Sequence, residues 1–121
     1  MYILLVEDAK ERVRWFKSEF YGCDIVVEKR PGRACRFVRE KKFDLIFLDH
    51  DLGIQASGGD ELDSMEVAKA IPGSVNRNTT VIIHSINPVG SENLRVFLSR
   101  NGVNVHRIVY GTFNRSIILN R

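Results

Sequence analysis

The sequence predicts an α/β fold, a doubly wound parallel sheet of five strands. Three observations carry this. Apolar runs alternate with amphipathic stretches along the chain. The runs Tyr2 to Val6 and Phe43 to Leu48 show little of the polar alternation of a half-exposed strand, as strands covered on both faces do. Both runs end abruptly in carboxylates, Glu7 and Asp8 after the first and Asp49 and Asp51 after the second.

Tyr2 to Val6 is the first strand. From Lys10 to Phe20 the apolar residues Val13, Phe16 and Phe20 fall on one helical stripe, and Gly22 stops that helix. Asp24 to Glu28 is β-branched and alternating, a second strand, after which Pro31-Gly32 predicts a turn into a basic helix with Ala34, Phe37 and Val38 inward. Phe43 to Leu48 is the third strand, closed by Asp49-His50-Asp51. A glycine-containing loop, Gly53 to Gly59, follows, then a helix from Asp60 to Ile71 with Leu62, Met65 and Ala68 on one side. Thr80 to His84 is the fourth strand; Asn87-Pro88-Val89-Gly90 turns, and Ser91 is expected to cap a helix carrying Leu94, Phe97 and Leu98, ended by Asn101-Gly102. Val103 to Tyr110 is the fifth strand, and the tail from Gly111 to Arg121 leaves room for little more than the run Ile117 to Leu119. No repeat or linker interrupts this, so one domain over residues 1–121 is expected.

Composition narrows the classes of function. The 121 residues are 44% hydrophobic and 27% charged with a formal charge of +3, suited to one core and far from a dedicated nucleic-acid coat. The apolar runs are much shorter than the roughly 20 residues of a membrane span, so no membrane partner is expected. The start of the chain has no basic n-region, so a cytoplasmic location is expected. Cys23 and Cys35 lack metal-type spacing and read as reduced thiols. Basic charge is concentrated early: residues 1–42 hold 11 Lys/Arg against 7 Asp/Glu, whereas residues 43–121 hold 7 against 8. Arg30, Arg33, Arg36 and Arg39 recur as on one helix face, which is either solvated or a surface for an anionic ligand.

In a doubly wound sheet, ligands bind beyond the carboxyl ends of the strands. There a strand order of 2-1-3-4-5 would gather Glu7, Asp8, Asp49, His50, Asp51, His84 and Ser85. Carboxylates so close repel one another unless a cation sits among them, and hard oxygen donors favour Mg²⁺ or Mn²⁺ over zinc. The same acids also suit helix caps or solvated loops. His50 and His84 have the chemistry of a general acid and base, and His84 equally suits a half-buried hydrogen-bonding residue. Ser85 and Asn87 suit either phosphate contacts or turn chemistry. There is no phosphate loop, Ser-His-Asp order or nucleophile elbow.

Ile3-Leu4-Leu5-Val6-Glu7-Asp8, Phe43-Asp44-Leu45-Ile46-Phe47-Leu48-Asp49 and Val81-Ile82-Ile83-His84-Ser85 together resemble the receiver domain of two-component response regulators, over about residues 1–111. The resemblance implies the flavodoxin-like receiver order 2-1-3-4-5 with a last helix that is reduced here, metal binding by Glu7, Asp8 and the main-chain carbonyl of Asp51, a phosphoryl group accepted by Asp49, and contact of Ser85 with that group. Three features depart from ordinary receivers. His50-Asp51-Leu52-Gly53 replaces the usual apolar residues and proline, Ile108-Val109-Tyr110-Gly111 lacks the lysine that ends the fifth strand, and the last helix is reduced. The nearest cation to the missing lysine is Arg107, out of register.

Leu48-Asp49-His50-Asp51-Leu52-Gly53 with His84-Ser85-Ile86-Asn87-Pro88-Val89-Gly90 resembles a divergent group, the cyclic-phosphate processing receiver domain. That resemblance implies a Mg²⁺- or Mn²⁺-dependent phosphoesterase acting on the cyclic phosphate of a nucleotide or an RNA end, so that its partner is a phosphate-containing small molecule or an RNA end. Glu7, Asp8, Asp49 and Asp51 would hold the metal, and Asp49, His50, His84 and Ser85 would carry the chemistry. Two alternatives follow from the wider family: a signalling receiver phosphorylated on Asp49 with a histidine kinase as partner, and a degenerate receiver serving as an interaction module.

Overall fold

A computed structural model of the chain describes residues 1–50, 63–112 and 114–119, the side chains of 117 and 119 excepted. Strands β1 (Tyr2–Val6), β2 (Asp24–Glu28), β3 (Leu45–Leu48), β4 (Thr80–Ile83) and β5 (Val105–Arg107) form one sheet in the order β2-β1-β3-β4-β5, each neighbouring pair parallel. The order is the one the receiver resemblance implies. Asp51, the loop from Gly53 to Gly59 and the predicted start of the third helix lie outside the described residues.

Side-chain alternation along the strands divides the core into two layers. Ile3, Leu5, Leu45, Phe47 and Ile82 face α1 (Lys10–Glu19) and α5 (Arg115–Leu119), where Phe16, Phe20 and Ile118 close the layer. Leu4, Val6, Ile46, Leu48, Val81 and Ile83 face the other way, onto α2 (Pro31–Glu40), α3 (Ser64–Ala70) and α4 (Pro88–Arg100). Complete burial of Phe16, Phe47, Leu5 and Ile82 makes each side chain worth about 1.5–3 kcal/mol of transfer free energy.

The boundaries correct several expectations. Pro31 and Pro88 open helices rather than turns, because a proline at the first helical position loses no intrahelical bond and already holds the helical φ. The cap of α4 is therefore Asn87, whose side chain accepts the Gly90 amide at 3.0 Å, while Ser91, expected to cap, donates its hydroxyl to the Ser85 carbonyl at 3.2 Å. Gly22 and Gly102 do end α1 and α4, at φ of 81° and 79° where a side chain would be strained. α5 spans five residues, the reduced final helix; the Arg115 amide donates to Glu19 at 2.8 Å and its guanidinium lies 4.6 Å from the Tyr21 ring centre, tying it to the end of α1. Both cysteines are free thiols, and burial pushes that of Cys35 up from its ordinary pKa. Among the described residues no helix is long and apolar enough to cross a membrane.

Candidate functional site

Strand register assembles the site. Val6 pairs with Leu48, and Leu48 with Ile83, so the next residues, Glu7, Asp49 and His84, stand side by side beyond the carboxyl edge. The ladder continues through them: the Asp49 amide donates to the Val6 carbonyl at 3.1 Å, and the His84 amide to the Leu48 carbonyl at 3.2 Å. Alternation then sets direction. Glu7, Asp49 and His84 share the parity of Leu5, Phe47 and Ile82, the layer under α1, whereas His50 and Ser85 share the parity of Leu48 and Ile83, the layer under α4. Residues adjacent in sequence are thereby sorted onto opposite sides of the sheet.

Glu7, at 1% exposure, is the hub of the α1 side. Its Oε1 accepts Arg12 Nε at 2.7 Å and His84 Nε2 at 2.9 Å, and its Oε2 accepts Arg12 Nη2 at 3.2 Å and the amides of Asp8 and Ala9 at 2.9 and 3.1 Å. Burial alone would raise the Glu7 pKa; the hydrogen bonds from His84 and Arg12 outweigh it and hold the carboxyl well below the usual carboxylate range. Burial pushes His84 below its ordinary value against the pull of Glu7, so the imidazole is neutral at pH 7 and carries its proton on Nε2, toward Glu7. Its Nδ1 is buried and has no hydrogen-bond partner among the described residues. Edge contacts to Phe16 at 4.9 Å and Phe47 at 6.3 Å between ring centres fix the imidazole plane.

Arg12 is the functional candidate that sequence reasoning misses. It lies on α1, where it reads as part of a solvent face, yet its Nη2 reaches to 3.5 Å from Asp49 Oδ2 while the same guanidinium binds Glu7. Its hydrogen bond to Glu7 raises its pKa against a smaller opposing effect of burial, with added support from Asp49 and Asp8. Arg107, the cation nearest in sequence to the missing lysine, instead donates to the Ser85 and Ile86 carbonyls, each at 3.4 Å. Positive charge beside Asp49 thus comes from the first helix rather than the fifth strand. The only available sequence signal was the five-residue step from Glu7 to an arginine at the start of a helix.

On the α4 side, the His50 ring packs against the backbone of Gly90, leaving no room there for a Cβ, with Nδ1 3.5 Å from Asn87 Nδ2. Ser85 Oγ accepts the Asn87 amide at 3.1 Å. Ser64, at the start of α3, donates its hydroxyl to the carbonyls of Asp49 and His50, the latter at 3.0 Å, fixing the backbone that leaves β3. Asp63 caps that helix by accepting the Met65 amide at 2.9 Å. Of the residues predicted from sequence, Glu7, Asp49 and His84 come together and Ser85 joins Asp49 and His84 in one cavity. Asp8 lines a different cavity with Glu7, His50 sits on the α4 side, and Asp51 is outside the described residues.

The cavity over this edge is about 520 Å³ and is lined by Arg12, Asp49, His84, Ser85, Ile86 and Tyr110. The donor set to which Asp49 and His84 belong suits a hard divalent cation. One atom each of Glu7, Asp49 and His84 lie within 4.8 Å of one another. Among the described residues, Glu7 and Asp49 share the one Arg12 guanidinium beside a neutral imidazole, an arrangement whose remaining negative charge such a cation would balance.

The model of one family, the cyclic-phosphate processing receiver domain, matches residues 2–100. No curated protein matches the chain. Among solved structures, the receiver domain of a sensor histidine kinase from Pseudomonas aeruginosa PAO1, crystallised with a magnesium ion coordinated in its active-site cleft, superposes with a TM-score of 0.71 at 20% identity, covering 98% of this chain and 91% of that one. The receiver domain of the Francisella response regulator 1452 gives 0.68 at 21% identity over 98% and 91%. The BeF3-activated N-terminal receiver domain of RstA from Klebsiella pneumoniae gives 0.68 at 22% over 100% and 94%. Those likenesses show the shared fold, and the match over residues 2–100 shows more: the chain is a receiver domain of the response-regulator type and belongs to the cyclic-phosphate processing receiver family.

Proposed function

We propose that this receiver is a divalent-metal-dependent phosphoesterase that opens a cyclic phosphate on a nucleotide or an RNA end. The observation that carries the reading is the buried cluster of Glu7, Asp49 and His84 with Arg12 set between two of its acids, of which Asp49, His84 and Arg12 line a cavity large enough for a phosphate and its sugar. Glu7, Asp8 and Asp49 would hold Mg²⁺ or Mn²⁺, with Asp51 as the further ligand expected from sequence. The bound metal supplies the positive charge that polarises the phosphoryl group.

The chain's own residues do the rest. Arg12 binds nonbridging phosphoryl oxygens as a planar donor already held by Glu7. Ser85, held by the Asn87 amide, orients the phosphate from the α4 side. Water attacks phosphorus, the bond to one ring oxygen breaks, and that oxygen takes up the proton released by the water, with His50 as the group that carries it. His84 acts as a positioning residue: neutral, buried and bound to Glu7, it fixes the carboxylate rather than exchanging protons with substrate.

A second reading is phosphoryl transfer from a histidine kinase to Asp49. It is favoured by the placement of Arg12 Nη2 3.5 Å from Asp49 and of Ser85 in the same cavity, a cation and a hydroxyl suited to a phosphorylated aspartate. One experiment separates the two. Trp15, the sole tryptophan, stands 5.0 Å from the Tyr110 ring, which lines the cavity, so its fluorescence reports occupancy. Mg²⁺ and Mn²⁺ are titrated into the wild type and Asp49→Ala, followed by assay against a 2′,3′-cyclic nucleotide. Metal binding with hydrolysis that requires both Asp49 and His50 supports the phosphoesterase. Metal binding without hydrolysis, with phosphate incorporated at Asp49 from acetyl phosphate, supports the signalling receiver. No metal binding removes both and leaves an interaction module.

A further inference from the structure

A second cavity adjoins the first across the Glu7–Arg12 pair. It is about 510 Å³, lies between the start of α1 and the junction of β2 with α2, and has Glu7 and Asp8 among its lining residues. The half-buried side chains of Val13 and Val27 give it an apolar lining. On one side Lys10 and Arg14 stand one helical turn apart on α1; on the other Lys29, Arg30 and Arg33 follow the end of β2. The acids in this cavity are largely engaged: Glu7 by Arg12, and Glu28 by the Arg30 amide at 3.0 Å and by Arg33 Nε at 3.4 Å. The exposed cations Lys10, Arg14, Lys29 and Arg30 therefore outnumber the acids available to them, and much of the basic excess of residues 1–42 gathers here.

We propose that this cavity is a subsite for the nucleotide adjacent to the one whose phosphate reacts, which makes the substrate a single-stranded oligoribonucleotide end rather than a free mononucleotide. The inference rests on the phosphoesterase reading and narrows its substrate. An apolar patch between two basic walls matches the alternation of flat base and charged phosphate along a strand, and the volume lies in the range of small-ligand sites, about 300–1,000 Å³. Continuity with the metal cluster comes from Glu7, which lines this cavity and is hydrogen-bonded to two residues lining the other, Arg12 and His84. A strand with its terminal phosphate over Asp49 and Arg12 would run past Asp8 onto the valines, with preceding phosphates between the lysines and arginines. An acidic peptide would satisfy the cations and leave the apolar patch unused.

The test is fluorescence polarisation with a labelled six-nucleotide RNA ending in a 3′-phosphate, which the enzyme does not turn over, against a mononucleotide 3′-phosphate as competitor. The hexamer is expected to bind at least tenfold more tightly than the mononucleotide, with a steep loss of affinity in salt. Lys29→Glu with Arg30→Glu, both exposed, should weaken the hexamer at least tenfold and the mononucleotide less than twofold. Arg77→Glu with Arg100→Glu, the same charge change on the loop before β4 and the last turn of α4, should leave the hexamer within twofold. A hexamer bound no more tightly than the mononucleotide, or an equal loss in the two double variants, overturns the subsite. If a cyclic mononucleotide is still hydrolysed in that case, the phosphoesterase reading stands without it. The expected binding pattern with no hydrolysis of any cyclic phosphate upholds the strand-binding cavity and removes the chemistry assigned beside it.

Discussion

The two ends of the sheet both bury polar side chains, and they do so to opposite effect. At the amino end Asn76 uses its whole capacity within the protein. Its Nδ2 donates to the Val38 and Lys41 carbonyls at 2.6 and 2.7 Å, and its Oδ1 accepts the Phe43 amide at 2.8 Å and the Thr79 hydroxyl at 3.1 Å. At the carboxyl end Glu7, Asp49 and His84 are equally buried, but the two acids share one guanidinium and, among the described residues, His84 Nδ1 has no hydrogen-bond partner. Polar groups that satisfy one another hold a fold together; polar groups that leave charge and lone pairs over hold a ligand, at some cost to stability.

The comparison can be broken at either end. Asn76→Ala should produce the largest loss of stability, about 3 kcal/mol, because it strands two carbonyls and an amide in the interior. Urea denaturation measures it, and the Mg²⁺ affinity of the remaining folded protein should not move. Arg12→Ala should cost about 2 kcal/mol, less than a fully buried pair because the guanidinium is about one-third exposed. Saturating Mg²⁺ should restore part of that stability, whereas a phosphate analogue such as BeF3⁻ should no longer bind with Mg²⁺; unchanged analogue binding would remove Arg12 from the site.

Acid sharpens the contrast further. The folded-state pKa of His84 lies below the ordinary value of 6.5, so on acidification the unfolded chain takes up this proton first. Stability from this group is complete above about pH 6.5 and falls as pH drops toward the folded-state pKa, with a slope of at most about 1.4 kcal/mol per pH unit. Glu7, whose pKa is depressed, adds to the loss only below its ordinary 4.5. Denaturation midpoints from pH 7 to pH 5 should decline in the wild type and stay flatter in His84→Gln. The smallest effect should be a gain: Asp49→Asn relieves acid repulsion and should stabilise the metal-free protein by about 1 kcal/mol while weakening Mg²⁺ binding at least tenfold.

Much of this architecture is written in local patterns. Buried strands such as Leu45 to Leu48 announce themselves because a strand covered on both faces has no polar alternation, and the acids that follow mark the edge where helices begin. Asn87-Pro88 misleads, since an asparagine before a proline reads as a turn and only the helix that follows shows it to be a cap. The site was legible as a list and not as a geometry. Asp49 and His50 are neighbours in sequence, yet the two-residue period directs one toward α1 and the other toward α4. Arg12 escaped because an arginine on the polar side of a short helix looks like any solvated residue until the helix is placed over Glu7.

The register that lines up Val6, Leu48 and Ile83 also ties ligand binding to the completion of folding. Glu7, Asp49 and His84 come from three βα units spread over most of the chain, and none of these units alone brings any two of them together. A slip of one residue in any of the three strands would turn its site residue to the opposite face. A metal that uses this cluster recognises the finished topology and not its parts, so it should slow unfolding more than it speeds folding.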